Sequence, residues 1–278
     1  MYSIRGFSAL ILTTIFWSSS FPVIKIVIGS IGGFGYTWLR SVIALLGLSP
    51  YAIYKLRKGF ENEIAWGGLI TGIAYGLGLW LQGWGTGITT ASNSAFITGL
   101  NVMFVHLYAA LVEKRYSFRL GVELILAITG LYLLTSPRGG FNLGDLLVLL
   151  GSIAWASQVI LVSKYGGKDP ILFTFFEMSP ALLFILPDLI DDGLELPSFS
   201  SLLGVTYLGL VCSDVAFILQ AYGQRYILPE IAAIIFLLEP ILASIFSWIM
   251  LGEVLISLQI LGAALIMCSI AMASVYKK

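Results

Sequence analysis

Few residues in this chain can do chemistry, and almost all of them lie in long apolar surroundings. One histidine, His106, and two cysteines, Cys212 and Cys268, are the whole supply of imidazole and thiol. They match no metal-ligand spacing, no disulfide framework and no Cys–His nucleophile arrangement. No G-x-x-x-x-G-K-[ST] string occurs, so ATP is not expected to act directly, and no cofactor is implied. No basic run with interleaved aromatics occurs, so nucleic acid is not an expected partner. An enzyme would be left with two-carboxylate chemistry, and no G-x-G-D-like string offers it. The chain is therefore not expected to be an enzyme.

What remains is a set of polar residues inside apolar stretches, where burial is costly and function is the usual reason. Glu239 stands beside Pro240, whose missing N–H leaves the Phe236 carbonyl without its helical partner and favours a pivot there. Ala232, Phe236, Glu239 and Ala243 follow i, i+4, i+7, i+11 spacing and share one helix face. That face reads either as a cavity wall or as a structural contact. In the first case the acid takes a cationic substrate group or a proton. In the second it is matched to a buried Arg or Lys. Arg40 and Glu177 stand at comparable depths, either as an ion pair that switches between states or as two separate anchors. Asp214 lies deeper, where its short side chain cannot easily snorkel and must find a protein or water partner, and is a site or a structural residue. Lys25 reads as snorkelling to an interface. Glu113, Glu230 and Glu253 fall at the ends of apolar stretches, with Glu123 slightly deeper.

Aromatic residues add a second set. Trp17 and Trp155 sit in the middle of apolar stretches, where each indole N–H needs a partner or a wet cavity. With Phe96 and Phe236 they predict an aromatic cavity lining, the alternative being ordinary bundle packing. Gln82, Trp80 and Trp84 crowd the end of one stretch, and Gln220 and Tyr222 the end of another. They read as gates at opposite faces or as an aromatic belt. Gly68, Gly72 and Gly76 recur every four residues, the small-residue stripe of close helix packing.

Composition says what must hold these side chains. Hydrophobic residues make up 58% of the 278 and charged residues 11%, against about 25% charged in soluble domains. A bilayer span needs about 20 mostly apolar residues. Ten such stretches are predicted, near 6–28, 31–54, 64–82, 88–111, 118–135, 143–163, 170–187, 200–222, 229–251 and 257–275. The first is too long for a secretory leader and has no A-x-A-like site, so it reads as a membrane helix. Lys and Arg set the orientation. With the N-terminus inside, Arg5, Lys55, Arg57, Lys58, Lys114, Arg115, Arg119, Lys164, Lys168, Arg225, Lys277 and Lys278 lie inside. Only Arg138 lies outside, as does the acidic loop with Asp188, Asp191, Asp192 and Glu195. Both termini are thus expected in the cytoplasm.

The chain also repeats. Trp17 and Ser19 return as Trp155 and Ser157, Thr37 and Arg40 as Thr174 and Glu177, and Pro50 as Pro187. Gln82 and Gly85 return as Gln220 and Gly223, and Phe96 as Phe236. Glu113, Ser117 and Gly121 return as Glu253, Ser257 and Gly262. Two halves, 1–136 and 137–278, each carry five stretches. Five is odd, so the second half must enter from the opposite side and the repeat is inverted.

These features carry a resemblance. TTIFWSSSFPVIK near the start, LEP at 238–240 and LGE at 251–253 resemble the EamA-type exporters of the drug/metabolite transporter superfamily. The first half departs from the pattern, with Leu100 and Asn101 where the family has proline and Val112-Glu113 in place of Gly-Glu. The resemblance implies an all-α membrane protein of ten helices in two inverted repeats. It implies a secondary transporter in the cell membrane that exports small organic metabolites, amino acids or amphipathic compounds, by alternating access at a central cavity. A polar-lined channel or a membrane receptor or scaffold is the alternative. A small-molecule substrate and the bilayer are the expected partners; oligomeric state is open.

Overall fold

The computed structural model describes residues 3–89, 91–115, 117–135, 142–191, 197–251 and 256–274. Arg138, Asp192, Glu195, Glu253, Lys277, Lys278 and the side chain of Lys25 lie outside the described set. The described residues are helical almost throughout and contain no strand. In order the helices are α1 (Ile4–Ser18), α2 (Ser20–Lys58), α3 (Asn62–Ile88), α4 (Ala91–Gly99), α5 (Asn101–Leu111), α6 (Phe118–Thr135) and α7 (Leu143–Tyr165). Then follow α8 (Pro170–Met178), a 3-10 segment (Ser179–Phe184), α9 (Ile185–Asp191), α10 (Phe199–Tyr207), a π-helical segment (Leu208–Val215) and α11 (Ala216–Gln224). The last are α12 (Pro229–Phe236), α13 (Leu238–Leu251) and α14 (Ser257–Ser274).

Among the described residues, six stretches are long and apolar enough to cross a membrane: Ile4–Ile24, Ile26–Lys58, Asn62–Ile88, Leu143–Tyr165, Pro170–Ile190 and Phe199–Gln224. Phe96–Leu111 and Ser257–Met272 are apolar but shorter. The surface is inverted relative to a water-soluble protein. Leu46, Ile73, Ile125 and Leu203 point outward, whereas Arg40, Gln158, Glu177 and Gln220 are buried. A chain dissolved in lipid hides polar groups inside and shows apolar ones outside. The protein is a multi-pass membrane protein.

Breaks shape the bundle. Within α2, Gly32 has φ 66° and ψ 179°, a conformation open to glycine, and it separates two helical rods. The helix run from α4 to α5 breaks at Leu100 (φ −64°, ψ −9°), and that from α12 to α13 at Leu237 (φ −67°, ψ −4°). Each break closes with the same tight bond, Leu100 N–H to the Ile97 carbonyl and Leu237 N–H to the Ile234 carbonyl, both 3.1 Å. The expected pivot at Phe236 thus falls one residue later. The first break forms with no proline beside it, so the bend does not depend on proline.

Sequence signals start the helices that carry the site. Asn142 and Asp145 form a reciprocal capping box at the start of α7, and Asp169 accepts the Leu172 N–H at the start of α8. Pro229 opens α12 at its first position, where no amide bond is lost. The glycine stripe of α3 packs as expected: a Cβ on Gly68 would lie 2.5 Å from Phe176, and one on Gly72 would lie 2.6 Å from Pro180. The acidic loop is partly helix. Asp188 lies in α9, buried, and its carboxylate accepts the Trp38 indole N–H at 2.8 Å.

Candidate functional site

A cavity of about 50 Å3 lies at the centre of the bundle, with room for roughly three to five waters. Both halves of the chain line it. Trp17, Arg40, Gln82 and Asn101 come from the first, and Trp155, Gln158, Phe236 and Glu239 from the second. The aromatic residues form one connected set. The Trp17 ring lies 5.0 Å from Phe217 and 5.1 Å from Phe236, and Tyr75 meets Phe217 edge-on at 5.1 Å. Gly78 makes room for Trp155, because a Cβ there would come within 2.9 Å of the indole. Both mid-stretch indoles have the partners that burial demands: Trp17 donates to the Cys212 carbonyl and Trp155 to Gln82 Oε1, each at 3.2 Å.

Two polar networks flank the rings. In one, Arg40 Nε donates to Ser213 Oγ at 2.8 Å and Nη1 to the Tyr36 hydroxyl at 2.6 Å, while Tyr75 and Ser213 share a 3.0 Å bond. In the other, Gln158 and Gln220 exchange amide bonds of 2.9 and 3.0 Å, and Gln158 Nε2 also donates to Glu177 Oε1 at 2.7 Å. All three members are fully buried. Gln82 bonds Thr98 at 3.0 Å and so ties α3 to the end of α4.

Trp17, Trp155, Phe236, Glu239 and Gln82 meet at this cavity. Phe96 does not: it packs edge-on against Tyr132 at 6.1 Å. It is two residues from Thr98, about 200° round the helix, so when Thr98 faces the cavity Phe96 faces away. Asp214 is also outside. It turns toward α2, and Gly47 leaves the space its carboxyl occupies. Arg40 and Glu177 are not paired here; each has the separate partners given above. Among the predicted gates, Trp80 stacks on Phe34 at 5.2 Å, away from Gln82, and Tyr222 meets Tyr226 at 5.5 Å. Gln220 is buried against Gln158 rather than at a face.

The described acids near the ends of stretches lie against arginines, with Glu123 and Glu230 buried. Glu113 meets Arg115 at 2.7 Å and Glu123 meets Arg119 at 2.9 Å. Glu230 lies 3.9 Å from Arg115. Sequence reasoning missed Tyr75, Thr98, Asn101, Gln158, Ser213 and Phe217. Gln158 carried a usable signal, a polar residue one turn from Trp155 inside an apolar run. Phe217 carried none among so many phenylalanines.

Comparison with known proteins agrees with this architecture. A solved crystal structure superposes with a TM-score of 0.77 over 96% of both chains at 17% identity, a likeness of fold. A transporter of Archaeoglobus fulgidus with no characterised function is 30% identical over 95% of this chain and 84% of its own. A protein of Streptantibioticus cattleyicolor named a probable terminal-alkyne amino-acid exporter is 24% identical over 92% and 89%. The model of the EamA-like transporter family matches residues 4–136 and again 142–275. These relatives are named for transport rather than catalysis, and with both matches covering nearly its whole length, this chain belongs to the EamA-like transporter family.

Proposed function

We propose that this membrane transporter is a secondary carrier that crosses the membrane ten times as two inverted five-helix repeats, 1–136 and 137–278. Both termini are cytoplasmic, and it exports small, partly apolar organic metabolites from the cell by alternating access at the central cavity. The observation that carries the reading is the cavity itself: both halves line it, with aromatic rings and a few buried polar groups. About 50 Å3 is too small for an organic solute, since ligand sites usually span about 300–1,000 Å3. Binding therefore requires the walls to move, as alternating access does.

Three further features support two related halves. The matched breaks at Leu100 and Leu237 are 137 residues apart (237 − 100) and share geometry and bonding. Tyr75 and Ser213, 138 apart, touch each other, as equivalent residues near a twofold axis do. Packing partners also interchange. The pair α3–α7 corresponds to α11–α1, α3–α8 to the π segment with α2, and α6–α14 to itself. In the register of the two breaks, Phe236 is equivalent to Gly99 rather than Phe96, and this agrees with Phe96 lying outside the cavity.

Counterflow of labelled substrate into preloaded liposomes tests carriage, since a receptor gives none. Single cysteines in a cysteine-free background test topology. A probe added outside intact cells should label Ser200→Cys and spare Lys58→Cys and Lys168→Cys, all exposed positions. External labelling of either lysine position would refute the odd number of spans per half.

A further inference from the structure

We propose that the break in α2 and the buried Asp188 of α9 form a site for a hydrated alkali cation. The cation fastens the end of the first rod of α2 to the second half of the chain.

The cavity that carries this site is separate from the central one. It holds about 280 Å3 and is lined by the turn 28–32, by Gly35 and by Asp188. Gly29, Gly32 and Gly35 have no side chains, so much of the wall is main chain. A Cβ on Gly29 would meet nothing within 4 Å. Gly32, with φ 66° and ψ 179°, cannot carry the helical hydrogen-bond ladder through itself. The carbonyls of Gly29, Ser30 and Ile31 therefore stand at a helix C-terminus, where the helix offers no amide partner and the dipole is negative. Interrupted helices of membrane carriers hold sodium through ends of this kind.

Asp188 supplies the charge. It is 5% exposed, and its Oδ2 accepts the Trp38 indole N–H at 2.8 Å. Oδ1 accepts no hydrogen bond among the described residues, and no Lys or Arg among them pairs with either oxygen. Gly35 leaves the carboxylate open on one flank, since a Cβ there would lie 3.6 Å from both oxygens. The second rod of α2 begins beside it, but no backbone amide of that rod bonds the carboxylate. A helix end alone offsets only a fraction of a unit charge. A buried carboxylate without a counter-charge is costly, and a bound cation removes that cost. One carboxylate with main-chain carbonyls is a hard oxygen set, which suits alkali and alkaline-earth ions. A single negative charge matches a monovalent ion. The space exceeds that of a bare ion, so water completes the shell. Occupancy ties the break at Gly32 to α9 and favours the arrangement seen here over any in which they part.

The test measures thermal unfolding of the full-length protein in detergent, with sodium chloride replacing N-methylglucamine chloride at constant ionic strength. Binding of radioactive sodium to the same sample is the second readout. Wild type should bind sodium saturably and melt about 3–6 °C higher at about tenfold the dissociation constant. Asp188→Asn keeps an acceptor for Trp38 and removes the charge. It should melt at least as well as wild type without sodium and lose both the shift and the binding. Gly35→Ala keeps the charge and covers its open flank, so it should raise the sodium midpoint severalfold, and it tests the site even where Asp188→Asn does not fold. Trp38→Phe, which removes only the indole bond, should keep the shift, as should Lys25→Met. A shift confined to Lys25→Met would make that lysine the counter-charge and overturn the proposal. So would a wild type that neither binds sodium nor shifts, or equal shifts in wild type, Asp188→Asn and Gly35→Ala. A response to calcium or ethanolammonium but not to sodium would overturn it as well.

Discussion

The Gln158–Gln220–Glu177 network allows a prediction with a worked magnitude. Gln158 makes all three bonds, at 2.7, 2.9 and 3.0 Å, and every member is buried. Gln158→Leu therefore strands three groups at once: both ends of the Gln220 amide and Glu177 Oε1. The second oxygen of Glu177, Oε2, is already unpartnered. An unsatisfied buried polar group costs about 1–3 kcal/mol, with membrane interiors at the low end. The single variant should lose roughly 3–4 kcal/mol on that scale. Gln220→Leu strands only Gln158 Oε1, because Nε2 keeps Glu177, and should lose about 1–2 kcal/mol. The double variant leaves only Glu177 stranded. It should lose only about 1 kcal/mol, less than Gln158→Leu alone, giving a coupling of about 3 kcal/mol between the two sites. Thermal unfolding in one detergent measures all three. At roughly 2–4 °C per kcal/mol, Gln158→Leu should fall by roughly 6–16 °C. Strict additivity of the two single losses would refute the network as the physical unit.

Three further outcomes are expected. Trp17→Ala or Trp155→Ala should cut transport far more than Trp66→Ala, whose ring is 67% exposed on the bundle surface. Equal rates in counterflow would detach the rings from the substrate path. Gly72→Leu should destabilise by about 1–3 kcal/mol or misassemble, since even a Cβ meets Pro180 at 2.6 Å, whereas Gly29→Leu meets open space and should melt like wild type. Matching melting temperatures for the two glycine variants would contradict the close packing of α3 on the 3-10 segment that follows α8.

Much of this protein was legible in its sequence because lipid imposes simple rules. Apolar length predicted helices crossing a membrane, and burial cost singled out Glu239, Trp17 and Trp155, all of which line the cavity. Proline spacing predicted the bend near Phe236, whereas its counterpart at Leu100, where no proline stands, was not predicted. What tertiary structure decided was direction. Helix periodicity fixes which residues share a face but not which face meets the cavity, so Phe96 and Thr98 were interchangeable until α4 packed on α3 and α7. A π segment over Leu208–Val215 re-aims Ser213 and Asp214, and no residue type signals it. Arg40 and Glu177 matched in depth along the sequence, yet depth along two helices says nothing about distance between them. The bundle gave Glu177 to Gln158 and left Arg40 facing the cavity. Hydropathy is a property of each segment alone and could be read directly, whereas the chemistry of the site arises from contacts between segments and needed the fold.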